Sequence, residues 1–194
     1  AAGLRATRQL LQQLPELDLA PDAQATIEHR LHRKVGEFER ALTLAAGLSF
    51  QCWATTEPTA QSFFGAALSG LHHANPGQRF YVRLRLVNRS RVPVTVRRLV
   101  LQTPPAWNIT SERQNPQTLE FNQIADVTQQ VSLPPTTPPT RPYWSRSSVR
   151  TPFYTIENGA GQRPLPPPPA RGAAFLRIGG ADVVLRQTVH VRVR

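Results

Sequence analysis

"QRFYVRLRLVNRSRVPVTVRRLVLQTP", residues Gln78 to Pro104, decides the fold. Phe80, Val82, Leu84 and Leu86 fall on one side of an alternating run, with Tyr81, Arg83 and Arg85 on the other. A period of two is the signature of a strand with one face buried and one face wet. After the break at Pro93 the alternation resumes with Val94 and Val96, then slips phase to Leu99 and Leu101. One extra residue in a strand produces such a slip, so a β-bulge is expected there.

Working outward, "LSFQCWA" before this stretch and "ADVTQQVSLP" after it read as further strands. The C-terminal part reads as a hairpin, "AAFLRI" turning at Gly179-Gly180 into "ADVVLRQTVHVRVR". Two glycines between alternating runs suit the positive-φ turn that joins antiparallel strands. The returning strand is expected to run on continuously, with Val183, Leu185, Val189, Val191 and Val193 on one face. Arg186, His190, Arg192 and Arg194 take the other.

Upstream of Gly47 the period is helical. Leu4, Leu10, Leu11 and Leu14 form a short stripe ending at Pro15. Ile27, Leu31, Val35, Phe38, Leu42 and Ala45 then recur at spacings of three and four, with Asp22 as the expected N-cap and Gly47 as the stop. Glu28, Arg30, Arg33, Lys34 and Glu37 make the solvated face. The fold expected is mainly β: an antiparallel immunoglobulin-like sandwich over 48–194, preceded by a helical connector over 1–47. Long loops are expected at 57–77 and 134–171, the second containing the extended polyproline run "GQRPLPPPPARG".

Composition narrows the function. The 19 prolines argue against a helical bundle, and Cys52, the sole cysteine, excludes an internal disulfide. The net charge of +11 invites a nucleic-acid reading, yet every one of the 23 basic residues except Lys34 is arginine. That lopsided ratio points to compositional bias, and no nucleic-acid-binding motif accompanies the charge. No apolar run is long enough to span a membrane. The absence of methionine and the start "AAGLRATRQLLQ" read as the interior of a longer protein.

Chemistry is sparse. There is no Gly-x-Ser-x-Gly elbow around Ser69 and no glycine-rich phosphate loop. His29 and His32 have a spacing that suits one metal, but a site needs at least a third ligand, and none presents itself. Neither His72-His73 nor any pair among the 12 acidic residues forms a recognisable catalytic set. No catalytic residue, metal ligand or cofactor site is assigned. "NRS" at Asn88 and "NIT" at Asn108 match the glycosylation acceptor pattern.

The exception to this blandness is "PPTRPYWSR", Pro138 to Arg146, a proline-stiffened loop holding two arginines, a tyrosine and a tryptophan. Two readings stand. Tyr143 and Trp144 bury their rings at a corner of the sandwich, or they join Tyr154 as a surface platform with Arg141 and Arg146 beside it. On the second reading Arg141, Tyr143, Trp144, Arg146 and Tyr154 form a ligand-binding site for a sugar or another domain.

The order of "FERALTLAAGL", "PGQRFYVRLRLVNRSRVPVTVRRLVLQTPPAW", "LPPTTPPTRPYWSR", "TPFYTIEN" and "AAFLRIGGADVVLRQ" resembles the C-terminal region of large bacterial members of the PIG-L deacetylase family, over about Ile27 to Gln187. The resemblance implies an immunoglobulin-like domain similar to those attached to secreted glycosidases. It also implies a parent protein with an N-terminal zinc-dependent deacetylase domain acting on N-acetylglucosamine-type groups. The family's His-Pro-Asp-Asp cluster is absent from these residues, so no metal or catalytic role transfers to this chain. The expectation is a non-catalytic accessory module that is periplasmic or extracellular, with the N-terminal catalytic domain as its partner. The alternative is a free-standing carbohydrate-binding or adhesion module.

Overall fold

A computed structural model describes residues 1–56, 71, 73–111, 114–142, 144–156 and 168–191. Tyr143, His72, Ser69, most of the polyproline run and Arg192, Val193 and Arg194 lie outside the described residues. The chain is mainly antiparallel β with an N-terminal helical region.

Helices α1 (Ala2–Gln13) and α2 (Pro21–Ala45) are joined through a single 3₁₀ turn, Leu14–Glu16. The cap of α2 is Ala20, not Asp22: Pro21 occupies the first helical position. Proline's fixed φ and missing N–H suit that position, and Asp22 in the first turn complements the helix dipole instead. Gly47 does end the helix, with φ +52° and its N–H on the Leu44 carbonyl. The apolar stripe is only partly covered. Leu4 and Leu14 are buried and Val35 and Leu42 pack on the core, whereas Leu10, Ile27 and Phe38 remain exposed. Phe38 lies across Gly3, where an added Cβ would come within 2.8 Å of its ring.

The strands are β1 (Leu48–Thr55), β2 (Arg79–Asn88), β3 (Val94–Gln102), β4 (Asn108–Ser111), β5 (Gln117–Leu119), β6 (Ile124–Ser132), β7 (Trp144–Ser145), β8 (Thr155–Ile156), β9 (Arg171–Ile178), β10 (Ala181–Thr188) and β11 (His190–Val191). They form one sheet in the order β11-β1-β2-β6-β4, a second in the order β10-β9-β3-β5, and a separate β7-β8 pair. The core fills the space between the two large sheets. Phe80, Val82, Leu84 and Leu86 point into it from β2, and Val94, Val96, Leu99 and Leu101 from β3. The phase slip is a bulge between Val96 and Arg98, as the pattern predicts. Gln114 supports the strand just beyond, its side-chain amide accepting from the Leu99 N–H at 2.7 Å and donating to the Leu99 carbonyl at 2.6 Å.

Two contacts tie the layers together. Gly172 on β9 abuts β1 so closely that a Cβ would sit 2.1 Å from the Cys52 sulfur. Burial at this contact pushes the Cys52 thiol up to about 12, which leaves it protonated and unreactive. Asn88 is fully buried. Its Nδ2 donates to the Val92 and Leu119 carbonyls at 2.9 Å each, and its Oδ1 accepts from the Ser90 N–H.

The C-terminal strand departs from expectation. It does not run on past Thr188 but changes sheets at Val189, and His190–Val191 pair in parallel with Trp53 and Ala54 of β1. The last bond on that side among the described residues runs from the Val189 N–H to the Ala170 carbonyl, and the prolines before Ala170 have no N–H with which to continue the ladder. The expected loop over 134–171 likewise contains the β7-β8 pair.

The helices cap one sheet edge. Glu39 accepts from the Val184 N–H at 3.4 Å while Arg8 donates to the Asp182 carbonyl and pairs with Glu39 at 2.6 Å. Two side chains from different helices therefore occupy outward-facing backbone groups of β10, which would otherwise be an open template for strand addition. Arg5 adds a bond to the Gly179 carbonyl at the hairpin turn, where Gly179 and Gly180 have φ of +53° and +77°.

Candidate functional site

Of the residues singled out, Trp144 lies on β7, Arg146 directly follows β7 and Tyr154 directly precedes β8. Trp144 aligns with Ile156 and Ser145 with Thr155. The intervening turn is shaped by short polar side chains: the Arg150 N–H donates to Ser148 Oγ, the Thr151 N–H to the Ser148 carbonyl, and Ser147 bonds Thr151 at 3.1 Å. Serine and threonine hydroxyls favour this local bonding, and Pro152 stiffens the return.

This geometry brings Trp144, Tyr154 and Arg146 together. The two rings meet edge to face, with centroids 4.8 Å apart and planes at 78°, and the Arg146 guanidinium lies 5.5 Å from the Tyr154 centroid. Neither ring is part of the core: Trp144 is 42% and Tyr154 52% exposed. Arg141 is exposed close by in sequence. Trp144 is thus not buried at a corner of the sandwich, while Tyr143 lies outside the described residues.

The same arm also presents Phe153, Val149 and Ile156 to solvent, three apolar residues that the sequence reading passes over. A run of large apolar side chains inside a proline- and arginine-rich connection was the available signal. Arg141, Arg146 and Arg150 supply positive charge, and between Arg141 and Ile156 the sequence has no acidic residue. Exposed aromatics flanked by arginine are the composition of protein-interface hot spots.

His29 and His32 sit on the exposed part of α2, with His32 Nε2 3.6 Å from Glu28. Among the described residues no group of three or more His, Cys, Asp or Glu side chains is placed to hold a metal ion, and no helix is long and apolar enough to cross a membrane. A groove of about 840 Å³ with a mixed lining runs along β3, β4 and β6, bordered by Tyr81, Leu99, Arg98, Gln130 and the Arg83–Asp126 pair among others. In that pair the Arg83 Nε bonds Asp126 at 2.7 Å. This bond raises the arginine above its already high ordinary value.

No family model matches the chain, and no curated protein matches it by sequence. Among solved structures the chain is similar to a FixG-related protein from Vibrio parahaemolyticus at 7% identity, with TM-score 0.31, covering 74% of this chain and 97% of that one. It is also similar to the Pseudomonas fluorescens alkylpurine DNA glycosylase AlkC bound to DNA containing an abasic site analog. There the identity is 12% and the TM-score 0.27, over 95% of this chain and 43% of that one. Likenesses this distant assign neither a family nor an activity.

Proposed function

We propose that the chain is a non-catalytic accessory module, an immunoglobulin-like sandwich with a helical connector, that docks on another domain of a PIG-L-type protein of the periplasm or cell exterior. The fold part of this reading is supported by two packed antiparallel sheets whose successive strands pass from one sheet to the other, as β2 to β3 and β5 to β6 do. The observation that carries the functional part is the exposed Trp144–Tyr154–Arg146 cluster at the separate two-stranded β7-β8 pair. Desolvating these rings against a partner would release far more free energy than the arm gains from its own few contacts.

A second reading, carbohydrate binding, is favoured by the half-exposed Trp144 ring but limited by geometry. Rings at 78° cannot form a flat double platform, and Arg146 already faces one side of Tyr154. A sugar would stack on one indole alone.

The test measures binding of this chain to the upstream portion of its parent protein, supplied separately, in wild type and in Trp144→Ala and Tyr154→Ala. Docking predicts a loss of affinity of about tenfold or more in each variant. Unchanged affinity, or an upstream portion without a deacetylase signature, overturns it. Binding to N-acetylglucosamine oligomers that disappears in Trp144→Ala would establish the second reading instead.

A further inference from the structure

The outward face of the β11-β1-β2-β6-β4 sheet contains an arginine whose Nε has no acceptor among the described residues. Arg83 and Arg85 both project from β2 on the side opposite the buried Val82, Leu84 and Leu86. The residue directly across from Arg85 on β6 is Asp126, its natural partner by position. Asp126 is instead engaged by Arg83 through both oxygens, with Nε on one and Nη2 on the other. Arg83 also lies 5.7 Å over the Trp53 ring.

Arg85 is therefore left over. Its Nε is buried and has no hydrogen-bond partner among the described residues. The neighbour on its other side, aligned across β1, is Gln51, a neutral residue. Arg85 lines a concavity of about 260 Å³ together with Ser49, Gln51, Arg89, Asn122 and Ile124, and no carboxylate belongs to that lining. Two guanidinium groups, an amide pair and a hydroxyl thus line a space with no counter-charge among the described residues of its lining. Buried donors in folded proteins are almost always satisfied, and a guanidinium's planar fork matches the two oxygens of a carboxylate or phosphate.

We infer that this concavity is a binding site for an oxyanion, a carboxylate or phosphate group, gripped by Arg85 with Arg89 at its mouth. The volume admits such a group or a small acid bearing it, not an extended polymer. The Gln51 and Asn122 amides and the Ser49 hydroxyl supply orienting bonds. This site is separate from the β7-β8 arm and does not depend on the docking role proposed for it.

The test follows the Arg85 Nε–H resonance by NMR, and the melting temperature, during titration with sodium phosphate or sodium acetate at ionic strength held constant with sodium chloride. Expected is a saturable movement of the Arg85 signal that chloride does not produce. Preference between phosphate and acetate identifies which oxyanion the site is built for. Arg89→Gln weakens the response about threefold or more, and Arg85→Gln abolishes the gain in melting temperature. Gln51→Glu places a carboxylate directly across from Arg85; it raises the melting temperature without added anion and eliminates the titration. A wild-type response no larger in phosphate and acetate than in chloride overturns the inference, as does undiminished anion binding in Gln51→Glu.

Discussion

Two edge-to-face aromatic pairs make the most useful comparison in this molecule. Phe80 and Trp107 meet with centroids 6.4 Å apart and planes at 83°, and Trp144 and Tyr154 meet at 4.8 Å and 78°. The second pair is the closer one, yet it lies in the open, while Phe80 is buried and Trp107 packs on the core. Ring geometry alone contributes about 0.5–1.5 kcal/mol to either pair. What separates them is the apolar area already removed from water. The Phe80 pair has spent its hydrophobic potential on the fold; the Trp144 pair still holds most of it for a partner.

Truncating one ring of each pair and measuring urea denaturation separates the two roles. Phe80→Ala is expected to cost about 3–5 kcal/mol, through lost transfer energy and the cavity left behind. Trp144→Ala, tested alongside, is expected to cost about 1 kcal/mol or less. Similar losses in the two variants would mean that the arm belongs to the fold and not to a docking surface.

A smaller effect is expected at the contact between the sheets. Gly172→Ala forces a methyl group onto the Cys52 sulfur and should cost about 1–3 kcal/mol. Cys52→Ala in the same chain removes the obstructing atom, so the double variant should be less destabilised than the sum of the singles. Additive losses would show that the clash relaxes elsewhere.

Removing the edge cap comes next. Glu39→Ala leaves the Val184 N–H and the Arg8 Nη2 without their acceptor, at a cost of about 1 kcal/mol. The uncovered β10 edge should also show stronger concentration-dependent association in sedimentation velocity than the wild type. A monomeric variant at all concentrations would show that the cap is dispensable.

The smallest effect is electrostatic. The Lys34 hydrogen bond holds the Glu37 carboxyl below its ordinary value of 4.5. A depressed folded-state value makes this pair stabilising above the unfolded value, and that stabilisation is lost as pH falls through the folded one. Glu37 is exposed on the helix, so the contribution is slight. Melting temperatures of wild type and Glu37→Gln should converge as pH drops from about 6 to about 3. Curves that stay parallel would remove Glu37 from the account.

How much of this was legible depends on the range of the interaction that carries it. The inward side of β2, the slip in β3 and the Gly179-Gly180 turn were readable because each is written in consecutive residues. The short strands β4, β5, β7 and β8 were not, because two to four residues carry no period and those of β4 are all exposed. Nothing local announces that Arg8 and Glu39 bond to a strand near the other end of the sequence. At the candidate site, Trp144, Arg146 and Tyr154 stood out by type, but their exposure depended on β7 and β8 pairing apart from the two large sheets. "NRS" at Asn88 shows the limit of a triplet. Both hydrogens of that amide are committed inside the fold, so a glycan could join it only by preventing the loop from closing.

The change of sheet at Val189 bears on the order of assembly. On one flank β1 is joined to β2, its sequence neighbour among the strands, but on the other it waits for His190 and Val191. Closing such a distant pair costs chain entropy that only prior assembly of the rest can offset. The parallel β1-β11 bridge is thus a clasp fastened late and, by the same reasoning, released early. Amides of the β1-β11 bridge should exchange with solvent before those shared by β1 and β2, and a pull on the C-terminal strand should open the sheet there first.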